Sequence, residues 1–288
     1  MLVIVGGIIV IVSVLGGYVA MGGKIAVLIQ PFEVVIICGA AFGAFMISNP
    51  KDVIIKCFKA VMQAIKGPRY NKQSYLEILS LLYALFKLGR TKGPLALEGH
   101  LENPEESDLF QAFPKIAKDH HAVTFLTDYL RLLTLGTDNA HELEALIDEE
   151  IETHHAEQGM VASAIQTVAD ALPALGIVAA VLGVIKTMGS ITEPPEVLGH
   201  LIGGALVGTF LGVMLAYGFV GPLAAGLKAL YDSETKYFQC MKAGLIAYVQ
   251  GYAPAVCVEF ARKALLSSVR PTFYEVEEAT QNAPKTSS

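Results

Sequence analysis

The polar residues that could take part in chemistry are few, and one of them lies inside a long apolar segment. Thr209 places a hydroxyl in the middle of a stretch, from Leu201 to Leu223, that contains no charged residue. A hydroxyl in such a segment can bond to a backbone carbonyl one turn earlier, or it can face a hydrated path between helices. The spacing leaves both interpretations open.

Two prolines lie in the apolar segments of the second half of the chain. Pro173 and Pro222 have no amide hydrogen, so each weakens the local helical hydrogen-bond ladder and offers a place to bend. Prolines also often mark a helix end. Either a bend or a helix end is compatible with the sequence at both positions.

The apolar segments carry no carboxylate in their central parts. Asp170 and Lys186 lie towards the ends of the third segment, and Glu33 precedes the second. A carboxylate at the centre of a bilayer costs ~2.5 to 3.5 kcal/mol or more, and it is the usual carrier in a proton path. If this chain handles ions, we therefore expect a partner protein to supply the acid.

Other kinds of site find no support in the sequence. Four of the seven histidines form two adjacent pairs, His120 with His121 and His154 with His155, which a helix points in different directions. No HExxH, P-loop, GxSxG or dinucleotide motif is present. An acidic run between Glu144 and Glu157 is typical of a solvated helix face. We predict no enzyme activity, no metal and no cofactor. The four cysteines are too scattered for a metal or redox site: Cys38, Cys57, Cys240 and Cys257.

Four apolar segments in two pairs must position these residues. A spanning helix needs ~20 mostly apolar residues, and each segment can supply them. We predict an all-α membrane protein with four transmembrane helices. Its predicted parts are a transmembrane hairpin at 1–50, a helical cytoplasmic domain at 51–165, a second hairpin at 166–224, and a cytoplasmic C-terminal helix and tail at 225–288.

Lysine and arginine give the orientation. The positive residues closest to the membrane follow the second and fourth segments, where cytoplasmic loops carry their excess of positive charge. Both termini and the large loop are therefore predicted to be cytoplasmic. The net charge of −6 gives no argument for nucleic-acid binding. The positive residues that follow the second segment are Lys51, Lys56, Lys59, Lys66 and Arg69, and those that follow the fourth are Lys228, Lys236 and Lys242.

Small residues recur at one-turn spacing in the third and fourth segments. Gly204, Gly208 and Gly212 form a GxxxGxxxG run, and Gly176 and Ala180 fall along one face of the preceding segment. Such faces let helix backbones approach closely where the hydrophobic effect gives no help. Helix packing and direct pore lining are the two interpretations.

Helix ends can also be predicted along the cytoplasmic segment. Gly67 and Gly136 each end a helical pattern, and Gly93 with Pro94 predicts a turn after a pattern that runs to about Gly89. Asn139 with Glu142 three residues later predicts a capping box at the start of the acidic helix.

Several short stretches resemble the MotA family of flagellar motor stator subunits, within the MotA/TolQ/ExbB proton channel superfamily, and the resemblance covers nearly the whole chain. The matching stretches include Gln30-Pro31-Phe32-Glu33, Glu102-Asn103-Pro104, Leu172-Pro173-Ala174, Val207-Gly208-Thr209-Phe210, Leu215-Ala216-Tyr217-Gly218-Phe219 and Gly251-Tyr252-Ala253-Pro254.

The resemblance implies an inner-membrane stator subunit that converts proton flow into flagellar rotation, with a role in motility and chemotaxis. Five copies, a homopentameric ring, would surround a dimer of MotB, whose membrane aspartate carries the proton. Charged residues of the cytoplasmic loop, here Arg90 and Glu98, would engage the rotor protein FliG. This chain departs from the family by inserting Gly93-Pro94 between those two charges.

The resemblance also implies an ion pathway with conformational coupling. It would involve Pro173, Thr209, Tyr217 and Pro222, with Ala180 standing where sodium-driven relatives carry a second threonine. The transported ion is therefore expected to be the proton.

Three alternatives stay open at this point. One is a proton-driven energising subunit resembling ExbB and TolQ, whose members generally have three spans. A second is a secondary transporter, which the lack of intramembrane charge disfavours. A third is a structural membrane scaffold.

Overall fold

The structure is a computed structural model, which describes residues 2–136 and 139–281. This described part consists of helices and their connections, without a strand. The helices are α1 (Leu2–Ala20), α2 (Ile25–Leu28), α3 (Pro31–Ser48), α4 (Lys51–Lys66), α5 (Lys72–Lys92), α6 (Leu95–Glu102), α7 (Asp108–Gln111), α8 (Pro114–Ala117), α9 (His120–Thr134), α10 (Ala140–Met188), α11 (Pro195–Leu215), a π turn (Ala216–Val220), α12 (Gly221–Val249), α13 (Pro254–Lys263) and α14 (Phe273–Gln281).

Four helical runs are long and apolar enough to cross a membrane: Leu2–Ala20, Ile25–Ser48, Ala140–Met188 and Pro195–Val249. The predictions of an all-α fold and of four spans are confirmed. Helix α1 has no buried residue, and side chains such as Leu2 and Val12 are 87% and 63% exposed. Water would penalise so much exposed apolar surface, whereas lipid or neighbouring chains can cover it.

Glycines end three helices where the sequence predicted it. Helix α4 is followed by Gly67 at φ +93°, α5 by Gly93 at +88°, and α9 is closed by Gly136 at +92°. Only glycine adopts these left-handed conformations at little cost. The predicted cap at Asn139 is also present, because its Oδ1 accepts a hydrogen bond from the backbone N–H of His141 at 3.1 Å.

The chain divides into two compact units. The first comprises the chain up to Gly67 together with Ala156–Tyr231, and the second comprises Pro68–His155 and the chain from Asp232 onwards. This grouping does not mark where a bilayer begins, so the four-part division of the sequence stays a prediction.

The first unit has two apolar clusters. In one, Ile37 of α3 packs with Leu172 and Ala179 of α10. In the other, Val53 and Cys57 of α4 pack with α10 and α12 residues, including Leu227. An ion pair of 2.9 Å joins Lys56 of α4 to Glu157 of α10. Helix α3 and helix α4 are thus both fixed against α10.

The second unit is organised around α5, which buries one long face. Tyr75, Leu82 and Phe86 of this helix are fully buried and belong to a single large cluster that also contains Tyr237 and Leu126. Such a core explains why the segment between the second and third spans forms helices of its own rather than an extended loop.

Pro173 does not mark a helix end. Helix α10 is one continuous helix of 49 residues with Pro173 in its interior, so the acidic helix and the third span are a single element. Pro222 likewise lies inside a continuous helical run, as the second residue of α12, directly after the π turn. The interpretation of either proline as a terminus was wrong, because apolar and small side chains on both sides of each proline keep the helix packed.

Candidate functional site

The glycines of α10 and α11 bring the two helix backbones into direct contact. A β-carbon added at Gly176 would lie 2.7 Å from the carbonyl oxygen of Gly208, and one added at Gly212 would lie 2.5 Å from the carbonyl oxygen of Leu172. Both distances are shorter than any normal carbon–oxygen contact. Glycine is therefore required at these positions by the approach of the neighbouring backbone.

Ala180 and Thr209 lie along this same contact. A β-carbon at Gly208 would be 3.1 Å from the backbone nitrogen of Ala180, and one at Gly176 would be 3.3 Å from the Cα atom of Thr209. Ala180 is buried at 9% exposure, whereas Thr209 is half-buried. The structure thus brings these two predicted pathway residues to one helix interface.

Pro173 lies close to this contact on α10. Its missing N–H leaves the carbonyl of Ala169, four residues earlier, without its usual helical donor. The next residues, from Ala174 to Gly176, lead directly into the contact with α11. A position with one helical hydrogen bond fewer therefore precedes the close contact of the two backbones.

The π turn replaces the regular helical ladder just before Pro222. The N–H of Gly221 donates to the carbonyl of Ala216, five residues earlier. Because Pro222 supplies no donor to Gly218, the ladder widens here, as is common where helices carry function. Tyr217 lies in this turn and is 74% exposed, so within this chain it does not join the α10–α11 contact.

Two polar side chains of the second span contact the glycine run of α11, which the sequence did not predict. A β-carbon at Gly204 would lie 2.9 Å from Nε2 of Gln30, and one at Gly208 would lie 2.5 Å from Oε2 of Glu33. Glu33 is also not ahead of the second span, because it lies in the first turn of α3. The only available signal was the occurrence of two polar residues at the start of an apolar helix.

Arg90 and Glu98 lie in the second unit, on two different helices. Arg90 is in the last turn of α5, exposed, and its Nη1 donates to the carbonyl of Gly251 at 3.1 Å. Glu98 is in the first turn of α6 and exposed. Within the described residues, neither forms an ion pair within 4.0 Å. The inserted Gly93-Pro94 forms the turn between the helices, and both charges stay exposed.

The remaining titratable clusters are structural. Asp119 accepts hydrogen bonds of 2.7 Å from Arg69 and from Tyr70, and burial, followed by the nearby Asp119 charge, raises the pKa of Tyr70 far above its usual value. The rings of His121 and His154 lie with their centroids 4.4 Å apart and are tilted by 50° to each other. Among the described residues, no group of three or more His, Cys, Asp or Glu side chains could hold a metal ion.

Fold and site define a class: a multi-pass membrane subunit with a glycine-packed helix pair that carries a half-buried threonine and contains a proline inside one of its helices. Residues 4–93 match the family described as Motility protein A N-terminal, and residues 117–240 match the MotA/TolQ/ExbB proton channel family.

Relatives and a solved structure agree with these matches. The chain is 46% identical over 278 residues to Motility protein A of Salmonella typhimurium, with 96% of this chain and 94% of the relative covered. It is 45% identical, with the same coverage, to Motility protein A of Escherichia coli. The structure of the flagellar MotAB stator complex from Bacillus subtilis matches with a TM-score of 0.75 and 25% identity, over 96% of this chain and 98% of that one.

The chain belongs to the motility protein A family and is a proton-conducting stator subunit of the flagellar motor. The four spans and the match of residues 4–93 disfavour the ExbB/TolQ-like alternative, whose members generally have three spans.

Proposed function

We propose that this chain assembles with MotB into a complex that converts the proton motive force into torque on the flagellar rotor. The supporting observation is the α10–α11 backbone contact beside Thr209, in a chain that is 46% identical to Motility protein A over 278 residues. The chain acts as a motor subunit rather than an enzyme, and it needs no cofactor beyond the transported proton.

MotB supplies the main proton-carrying acid. The glycine-packed faces of α10 and α11 carry no carboxylate between Leu172 and Gly183 or between Ala205 and Gly212, so the centre of this helix pair cannot itself carry a proton. The solved relative from Bacillus subtilis is a MotAB complex, which supports this partner. A MotB carboxylate beside Thr209 would bind the proton, lose its charge, and change the helix face that it prefers.

The membrane potential provides the energy for each step. Transit of one proton contributes ~2.3 kcal/mol per 100 mV, enough to bias two alternative packings of a helix bundle. The α10–α11 contact would move as a rigid pair because its backbones touch, and the hydrogen bonds missing at Pro173 and Pro222 would let the helices bend during the motion. The torque-generating subunits form a ring of five copies around a MotB dimer, and the uncovered apolar surface of α1 supports further helix contacts.

Arg90 and Glu98 transmit the motion to the rotor protein FliG. Two observations support this role. Both side chains are exposed, on two different helices, and neither forms an ion pair with another described residue. Opposite charges on a rotor helix can engage both of them in turn. Single exposed pairs contribute only ~0 to 1 kcal/mol, which suits contacts that must form and break in every step.

The complex lies in the inner membrane with both termini in the cytoplasm, and it conducts protons rather than sodium. The orientation follows from the lysines and arginines after the second and fourth spans. The preference for protons rests on Ala180, which is buried against α11 and offers no oxygen to a sodium ion.

Complementation of motility tests this function. Cells that lack their own stator subunit would receive this chain together with MotB, and swimming speed would be measured at varied external sodium, with and without a protonophore. We expect swimming that ignores sodium and stops with the protonophore. Swimming that rises with sodium and survives the protonophore would overturn proton coupling, and no swimming despite membrane expression of both chains would overturn the stator assignment.

A further inference from the structure

The side chain of Glu33 contacts the glycine run of α11. It is the one acidic side chain among the nearest neighbours of the described α11 glycines. It lies in the first turn of α3, and its Oε2 occupies the space that a side chain at Gly208 would take. Its Oε1 is 3.7 Å from the position of a β-carbon at Gly183 of α10. The carboxyl group therefore sits where α3, α10 and α11 meet, one residue along α11 from Thr209.

This carboxyl group has no compensating partner in the described residues. Oε2 is buried and accepts no hydrogen bond, and the two glycines that face it bring no side chain. The basic residues of the packing helices nearest this end are Lys186 of α10 and His200 of α11, and among the described residues neither forms an ion pair with Glu33 within 4.0 Å. The other acidic groups on these helices nearest the same end are Glu196, which is exposed, and further away Asp170.

An ionised carboxylate in such a place is costly, because Oε2 is buried without a hydrogen bond and, among the described residues, no ion-pair partner lies within 4.0 Å. The protonated acid is much cheaper, and it can donate a hydrogen bond. The N-terminal end of α3 partly favours the ionised form through the helix dipole. Burial and the helix dipole thus act on the two forms in opposite directions, which suits a group that takes up and releases protons.

We propose that Glu33 is a proton-binding group of this chain, which takes up a proton from the outer side and releases it towards Thr209 and the acid of the partner. In uptake, a carboxylate oxygen forms an O–H bond with a proton delivered by water. In release, that bond breaks, the proton moves to the next water or acid, and no electron changes hands. The inference rests on the proposed function, and it adds a second acid to the pathway.

The position of Glu33 agrees with entry from outside. The orientation proposed from the lysines and arginines places the start of α3 at the outer face of the membrane, so Glu33 meets the external proton before the middle of the span does. Gly208 is needed because any side chain there would displace the carboxyl group.

Proton flux tests the proposal in the full complex with the partner, reconstituted in liposomes that carry an internal pH-sensitive dye. The variants are Glu33→Gln, which keeps size and polarity but cannot titrate, and Glu33→Asp, which keeps an acid. Glu196→Gln is the matched control, because it removes an exposed carboxyl group from the first turn of α11.

We expect Glu33→Gln to reduce proton influx strongly, Glu33→Asp to retain part of it, and Glu196→Gln to match the unchanged complex. Infrared difference spectra of the same samples on acidification should lose one protonated-carboxyl band in Glu33→Gln only. Unchanged proton flux together with an unchanged carboxyl band in Glu33→Gln would overturn the proposal. Equal loss of flux in Glu33→Asp and Glu33→Gln would also overturn it, because that equality is what a purely structural carboxyl group predicts.

The outcome separates this inference from the proposed function. If the unchanged complex conducts protons and drives swimming while Glu33→Gln does the same, the inference fails and the stator function stands. If the unchanged complex neither conducts nor drives swimming, the proposed function fails first.

Discussion

Gly212 is the position at which the contact between α10 and α11 can be tested most sharply. An alanine β-carbon there would lie 2.5 Å from the carbonyl oxygen of Leu172 and 2.9 Å from the Cα atom of Gly176. Ordinary contact begins at 3.4 Å. The helices would have to separate by about 0.9 Å, and a gap of that size forfeits a quarter to a half of each neighbouring dispersion contact.

The expected cost of Gly212→Ala is about 1 to 3 kcal/mol of unfolding free energy, as for other forced insertions into a packed interior. Replacing glycine by alanine also stabilises a helix by up to about 1 kcal/mol, so the reference variant must carry the same replacement in the same helix. Gly199→Ala is the reference, because it lies on the same helix and a β-carbon there meets nothing within 4 Å. The difference between the two variants isolates the clash.

The assay is equilibrium unfolding of the purified full chain in mixed micelles with increasing denaturing detergent, followed by circular dichroism. The lower stability of Gly212→Ala should be accompanied by loss of swimming. If Gly212→Ala were as stable as Gly199→Ala and supported normal swimming, the backbone contact and its proposed role in the step would both be refuted.

Three further variants extend the account. Arg90→Ala should slow swarming only mildly, because an exposed charge pair contributes ~0 to 1 kcal/mol. Replacement of Arg90 by Glu should slow swarming much more. Normal swarming after reversal of both Arg90 and Glu98 would contradict their rotor role. Thr209→Val keeps the shape of the side chain and removes the hydroxyl, so proton influx through the reconstituted complex should fall while the amount of assembled complex stays the same; unaffected influx would favour a packing role. The hydrogen bond from Arg262 holds the pKa of Glu259 below its usual value, so this pair stabilises the chain at neutral pH, and that contribution is lost as pH falls through the lowered pKa. Glu259→Gln should therefore lower the melting temperature at neutral pH, and the difference in melting temperature from the unchanged chain should become smaller at about pH 3. A difference that does not depend on pH would refute the electrostatic explanation.

Matched controls exist for these variants. Lys92→Glu reverses another exposed charge in the last turn of α5. Thr192→Val removes a hydroxyl from the exposed turn between α10 and α11, and Glu277→Gln removes an exposed carboxyl group from α14. Each control should behave like the unchanged chain in the corresponding assay.

Much of the fold could be predicted because its signals are local. Spanning helices can be predicted from their length and apolar composition. The glycines at 67, 93 and 136 follow their helices because each adopts a positive φ. The GxxxGxxxG run also predicted close helix packing, which Gly212 shows directly. These features depend on neighbours within a few residues.

The remainder depends on contacts between residues far apart in sequence. Nothing in the spacing shows that Glu33 meets Gly208, since 175 positions separate them and no periodicity links the two. The continuity of α10 through Pro173 depends on its packing against α3 and α11, which outweighs the lost hydrogen bond. The roles of the predicted site residues remain predictions: Arg90, Glu98, Pro173, Ala180, Thr209, Tyr217 and Pro222.

The central claim is that this chain conducts protons only together with a partner that supplies the main acid. Its most direct test is proton influx into liposomes under an imposed membrane potential, measured for this chain alone, for its complex with MotB, and for a complex in which the membrane aspartate of MotB is replaced by asparagine. The account predicts influx through the complex and none through the chain alone or through the asparagine variant. Equal influx through all three samples would contradict it.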